Sequence, residues 1–356
     1  MRSYVATEWG KPLELREQET PAPTGKEVLV RITAAGVCHS DLHIHDGYYD
    51  LGGGRRLNNA ERGVYPPRVL GHEIAGTIEA VGEAAEGVSV GDDVVVYPWI
   101  GCGMCDACAL GDEQNCPTPR TLGIFFDGGY STHCLVPEAK YCVPLDGIAP
   151  EVAALYACSG ITTYHALRKF DEAVFKSEPV LIIGAGGLGM MALTILNGMG
   201  GFGAIVADVD ENKLEAALAN GARAVVNPRD VDAAAQVKAL APSGRGLRMA
   251  IDLVGNPETL QLAIDCMVKG GKVVAVGLMG GEFTIPTPFL PMRALTIEGS
   301  YVGTLQELRD LMALVREHSI PPPPIEKHTL DEAQQVMDSL REGKITGRGV
   351  LMPAGI

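Results

Sequence analysis

The chain has 356 residues, 46% hydrophobic, 21% charged and 5% aromatic, enough for two domains of ordinary size and too apolar for a disordered or fibrous chain. The 44 acidic side chains against 29 basic ones give a formal charge of −15, which repels phosphate backbones and anionic lipid and so argues against nucleic acid or membrane as a partner. The opening MRSYVATEWGKPLEL lacks a basic cluster leading into an apolar run, so no secretory signal is read and a cytoplasmic setting is expected.

Short strands at 27–34, 74–81, 93–97 and 130–136, broken by glycine and proline, predict a compact barrel-like β domain up to about Tyr156. Within it stand Cys38-His39-Ser40-Asp41-Leu42-His43 and, after a long segment rich in tyrosine and arginine, Gly71-His72-Glu73. That segment carries Tyr48, Tyr49, Arg55, Arg56, Arg62 and Arg68. Cys102, Cys105, Cys108 and Cys116 follow in the glycine-rich stretch GCGMCDACALGDEQNC, which has almost nothing to build a core from. Nine cysteines is an odd number for a disulfide framework, and reduced metal-binding thiolates fit better. Four thiolates close a tetrahedral shell around zinc and leave no ligand position open, a structural role. An iron–sulfur run is the rival reading, although bacterial ferredoxin spacing puts three residues before the fourth cysteine where this chain has seven. His45, Cys134, Cys142 and Cys266 read as structural.

From Cys158 the pattern changes to six apolar strands, at 180–184, 204–208, 224–227, 249–254, 272–277 and 295–299, with helices such as 211–220 and 257–269 between them. This alternation predicts an α/β fold with a doubly wound six-stranded parallel sheet. The stretch 179–207 carries no charge and is long enough to suggest a membrane span, but glycines and Asn197 interrupt it, so it reads as a buried strand–helix–strand unit. There Gly184-x-Gly186-Gly187-Leu188-Gly189 follows a strand and opens a helix, and Asp208 ends the next strand, 19 positions after Gly189. Gly184 permits the tight turn, Gly186 lets backbone approach a pyrophosphate, and Gly189 packs helix on strand. The free N–H groups of the helix start suit phosphate. Asp208 suits ribose hydroxyls and repels a 2′-phosphate, favouring NAD over NADP. Two amphipathic helices, 304–317 and 330–342, and a closing strand in GRGVLMP complete the chain.

In family order, GHEIAGTIEAVG, the four-cysteine lobe, YACSGITTYHAL and GAGGLG make the chain resemble the zinc-dependent medium-chain alcohol dehydrogenases over essentially its whole length, closest to the bacterial and archaeal NAD-dependent branch. The resemblance implies a GroES-like β-barrel catalytic domain, residues 1–156 and 300–356, around a Rossmann domain of residues 157–299. It implies a catalytic zinc on Cys38, His72 and Cys158, Glu73 entering the zinc shell transiently, and Asp41 orienting the histidine ligand. It further implies Ser40 bonding the substrate oxygen, His43 passing its proton to solvent, His39 and Arg348 gripping the pyrophosphate, Thr162 beside the nicotinamide and Lys213 over the adenosine ribose. Trp99 matches an aromatic lining the pocket, and Tyr48, Leu122 and Phe125 are further pocket candidates.

The activity implied is reversible oxidation by NAD+ of a primary or secondary alcohol, by default hydrophobic and cyclic or aromatic. Hydroxyacyl-CoA or polyol dehydrogenase chemistry on the same scaffold is the alternative, and an NAD-binding zinc protein without turnover is a third reading. The arginines at 55–68 are either solvated or recognise an anionic substrate. A homo-oligomer is expected, tetramer favoured over dimer, pairing through the strand at 295–302.

Overall fold

The computed structural model describes every residue except Thr346, Ala354 and Ile356. One part, built from both ends of the chain, is a curled sheet in the order Cys142–Pro144, Asp93–Val96, Glu73–Val81, Val28–Gly36, Arg348–Met352 and Ile325–Thr329, with His133–Val136 also pairing on Val28–Gly36. Val28–Gly36 is buried along most of its length, with only Arg31 exposed and Thr33 half-buried. Its register against Glu73–Val81 shifts twice, between Leu29 and Val30 and between Ile32 and Ala34. Such irregularities bend a sheet toward closure. The motif GRGVLMP supplies the strand Arg348–Met352, which slots in beside Val28–Gly36.

The second half is a six-stranded parallel sheet of Val180–Ile183, Ala204–Ala207, Ala224–Val226, Leu247–Asp252, Met267–Ala275 and Thr296–Gly299. In space the strands run third, second, first, fourth, fifth, sixth, so the order reverses beside Val180–Ile183, where such folds bind their ligand. Val180 and Ile182 join the apolar core shared with the barrel, whereas Leu181 and Ile183 join a second core on the other face. That alternation is how a strand covered on both faces distributes its side chains.

The uncharged stretch resolves into strand, helix Gly187–Gly198 and strand. Among the described residues no helix is long and apolar enough to cross a membrane. The helix expected over 257–269 stops at Cys266, because Met267 turns extended (ψ 143°) and joins the fifth strand. The segment at 46–68 is not a bare loop either. It forms an antiparallel hairpin of Tyr48–Gly52 and Arg55–Asn58, followed by a short helical turn, Asn59–Arg62.

Candidate active site

The barrel brings the first two metal-ligating candidates together by register. Gly36 pairs with Glu73 across the two central strands, so Cys38, just beyond one strand end, lies beside His72, just before the other. The third, Cys158, sits in Tyr156–Gly160, a turn of widened π geometry between helices Pro150–Leu155 and Ile161–Arg168. The ligand atoms of Cys38, His72 and Cys158 all lie within 4.8 Å of one another, the two sulfurs 4.0 Å apart.

Asp41 fixes the histidine. Its Oδ1 accepts from His72 Nδ1 at 3.0 Å and from the Gly71 N–H at 3.2 Å, while its Oδ2 accepts from the Cys38 N–H at 3.0 Å and from the Tyr130 hydroxyl at 2.9 Å. With Nδ1 engaged, His72 presents Nε2, which is buried and has no hydrogen-bond partner. A buried orphan nitrogen facing two cysteine sulfurs fits a metal of the Cys2His type with one position left open. Burial alone would strip the proton from His72, but the Asp41 charge overrides it and holds the imidazole well above its ordinary value. Cys38 is held well below the ordinary thiol value, chiefly by the hydrogen bond from Cys158 and also by His72. Tyr130, which completes the Asp41 clamp, has no signature in sequence.

Glu73 points from the other side. Its Oε1 accepts from the Ser159 N–H at 3.2 Å and its Oε2 from Arg348 Nη2 at 2.5 Å. Burial raises the carboxyl to about 7 against the pull of Arg348. Arg348, expected at the pyrophosphate, is buried, bonds Glu73 and the Val37 carbonyl (3.2 Å), and lays its Cδ 2.5 Å from where a Gly187 side chain would begin. It therefore spans from Glu73 to the glycine-rich turn.

Helix His39–Asp46 carries His39, exposed at its start, and the half-buried Ser40 and His43. The His43 ring stacks on Tyr49, centroids 4.9 Å apart, and burial lowers its pKa below the ordinary imidazole value. Trp99 is buried, donates Nε1–H to the Ala157 carbonyl at 2.9 Å and meets the His72 ring edge-on at 5.3 Å. Tyr301 lies on its far side, 5.8 Å away. Leu122 is buried on the neighbouring loop, its N–H bonded to the Pro98 carbonyl, and Phe125 packs against the core. Tyr48, expected at the pocket, turns the other way and lies 3.8 Å beneath Arg56. Neighbouring strand residues face opposite sides, so Tyr49 takes the inward place.

In the cofactor half, Gly184 has φ +96°, and a side chain on Gly189 would begin 1.8 Å from the Gly184 carbonyl oxygen, whereas one on Gly186 would meet nothing within 4 Å. The turn is thus tight at both ends and open in the middle, the shape a pyrophosphate needs, and Gly187 and Leu188 begin the helix behind it. Asp208 accepts from the Ala185 N–H at 2.7 Å and the Asp210 N–H at 3.0 Å, which holds it at the mouth of this turn. Lys213 Nζ is 3.9 Å from Asp210. Thr162 Oγ1 is buried without a partner.

The four-cysteine lobe is a second cluster, its sulfurs within 4.8 Å of one another. The N–H groups of Cys102, Gly103, Met104 and Thr118 point at the sulfurs of Cys116, Cys108, Cys102 and Cys116 at 3.2 to 3.4 Å, an arrangement that suits metal-bound thiolates. All nine cysteines are free of disulfides. Glu113 ties the lobe to the barrel, accepting from the Gly101 N–H (2.9 Å) and the Tyr141 hydroxyl (2.7 Å).

Residues 24–147 match the family model of the alcohol dehydrogenase GroES-like domain, and 187–317 that of the zinc-binding dehydrogenases. The chain is 39% identical over 354 residues to an NAD-dependent alcohol dehydrogenase of Sulfurisphaera tokodaii, covering 99% of this chain and 100% of that one. It belongs to the zinc-dependent medium-chain alcohol dehydrogenases. The dehydrogenase is an NAD-dependent oxidoreductase acting on an alcohol group. The crystal structure of the Aeropyrum pernix alcohol dehydrogenase superposes with a TM-score of 0.89 at 33% identity, covering 99% of this chain and 100% of that one. Acetophenone reductase from Geotrichum candidum, solved in complex with NAD, superposes at 0.85 with 28% identity, covering 99% and 95%.

Proposed function

We propose that the dehydrogenase oxidises a hydrophobic primary or secondary alcohol, cyclic or aromatic, to the aldehyde or ketone, reversibly, with one catalytic and one structural zinc per chain. The orphan Nε2 of His72 between Cys38 and Cys158 carries the reading. When bound there, zinc supplies a Lewis acid for the alcohol oxygen and NAD+ supplies the hydride acceptor. Cys38, His72 and Cys158 hold the metal, and Asp41 keeps Nε2 aimed at it. Ser40 Oγ takes up the hydroxyl proton as it releases its own toward His43. His43, kept neutral near pH 7 by its burial, accepts that proton and hands it to solvent. Glu73 stands ready beside the ligands, with Arg348 and the Ser159 N–H holding it back. Gly184 to Gly189, His39 and Arg348 seat the pyrophosphate, Asp208 and Lys213 the ribose, and Thr162 the nicotinamide. Trp99 narrows the pocket beside His72 and shields it from water.

In this reading residues 1–156 and 300–356 form the catalytic part and 157–299 the NAD-binding part of a cytoplasmic homo-oligomer, a tetramer in preference to a dimer. The test is NADH formation from NAD+ with aliphatic, benzylic and cyclic alcohols, a polyol and a hydroxyacyl thioester. Turnover of the cyclic and benzylic alcohols is expected; turnover confined to the polyol or the thioester overturns the substrate assignment.

A further inference from the structure

The hairpin segment at 46–68 places its arginines very differently. Arg55 ion-pairs with Glu282 of the cofactor half, Arg68 pairs with Asp127 at 3.2 Å, and Arg56 is exposed above Tyr48. Arg62 turns inward. Its guanidinium carbon lies 4.8 Å from the centre of the Tyr49 ring, the same ring that stacks on His43. Its Nη1 is buried and has no hydrogen-bond partner, and no carboxylate lies within ion-pairing distance of it among the described residues. The nearest acidic neighbour in sequence, Glu61, is exposed and spends its Oε1 on Asn58. Tyr301, which packs on Trp99, also feels the Arg62 charge, and so does Tyr49; in both, that charge opposes the upward pull of burial on the hydroxyl.

A buried donor left unmade is costly, and a guanidinium more so. The aromatic faces and the hydrogen bond to the Tyr49 hydroxyl offset part of that cost, but the planar fork still leaves Nη1 in want of an oxygen acceptor. The Tyr49 ring beneath Arg62 also stacks on His43 of the proposed relay, which puts Arg62 beside the path of the substrate. Between the zinc-ligating set and Arg62 stand the flat walls of Trp99, Tyr301 and Tyr49.

We propose that Arg62 is a specificity residue that pairs with a carboxylate on the substrate, remote from the carbinol, so that the preferred substrate class is an aromatic or cyclic alcohol bearing an acid group at its far end. The metal side takes the hydroxyl, the aromatic walls take the ring, and Arg62 takes the anion. This rests on the alcohol-oxidation reading above and narrows its substrate.

The test compares benzyl alcohol with 4-(hydroxymethyl)benzoate under saturating NAD+ in the zinc-loaded enzyme. The wild type is expected to favour the acid in kcat/KM by about tenfold or more, mostly through KM, as a desolvated charge pair does. Arg62→Met removes that preference. Arg62→Lys, which keeps the charge but not the fork, retains part of it. Arg56→Met, on the outer face, leaves both rates as they were. A wild type that prefers benzyl alcohol, or a preference that survives in Arg62→Met, overturns the role of Arg62 while leaving alcohol oxidation in place. Turnover of neither alcohol overturns the parent reading and this inference with it.

Discussion

Asp41 accepts four hydrogen bonds at once, from Cys38, Gly71, His72 and Tyr130, and through them sets the tautomer and the aim of the histidine ligand. Asp41→Asn is therefore expected to weaken zinc at the catalytic position by ~10–100-fold and leave the four-cysteine lobe loaded, as a chelator titration with metal analysis would read out. His72→Ala is expected to go further, with metal content lower by one zinc per chain and turnover lost; full activity in that variant would contradict the site. His43 gives a pH prediction. Its folded pKa lies below the ordinary imidazole value of about 6.5, so as pH falls the relay protonates late, and the acid limb of kcat is expected on the acid side of that value. His43→Ala should lose on the order of 100-fold at neutral pH, with partial rescue by added imidazole. Cys38, His72, Cys158 and Asp41 were marked in sequence by the resemblance to the family's motifs, and the fold brings the four together. Tyr130 and Tyr49 were not. Tyr130 meets Asp41 across 89 residues of chain, and the choice of Tyr49 over Tyr48 depends on which face of a hairpin looks inward.

At the scale of elements, the four-cysteine lobe has little to hold it besides metal. Met104 and Leu110 are exposed, and its helical pieces, Asp106–Ala109 and the 3-10 turn Glu113–Asn115, are one turn each. A structural zinc in such a lobe supplies folding energy directly. Cys105→Ser is expected to lower the melting temperature and open the lobe to proteolysis while the parallel sheet, which shares no strand with it, keeps its NAD affinity. Calorimetry beside a cofactor titration checks both halves of that statement. The glycine turn behaves oppositely: with 1.8 Å between a Gly189 side chain and the Gly184 carbonyl, Gly189→Val should abolish NAD binding and leave both metal sites. The order of elements was readable from alternating patterns of apolar residues. The hairpin Tyr48–Asn58 was not, since Gly52-Gly53-Gly54 masks the strands around it. The early end of the helix at Cys266 escaped for a similar reason. Nothing in the local sequence separates a last helical turn from the first residues of a buried strand.

For the whole molecule, the sixth strand, Thr296–Gly299, is one of the two edges of the parallel sheet, and Phe289, Met292, Ile297 and Tyr301 are exposed around it. An uncovered edge with apolar neighbours invites a second copy to extend the sheet. Light scattering is expected to report a tetramer; a monomer at micromolar concentration would refute pairing there. The two halves are also tied to each other within one chain. Arg55 reaches Glu282, and Arg348 joins the Val37 carbonyl to Glu73 and the glycine turn. The Arg348–Met352 strand has a consequence for how the enzyme is made. Arg348 bonds a carbonyl 311 residues away, and its strand stands between Val28–Gly36 and Ile325–Thr329. The Rossmann sheet is contiguous in sequence and can assemble on the ribosome as it emerges, whereas the barrel must wait, edges open, until that late strand is released. During synthesis the nascent chain should thus complete its parallel sheet well before its barrel, and the interval between the two is when it most needs a chaperone.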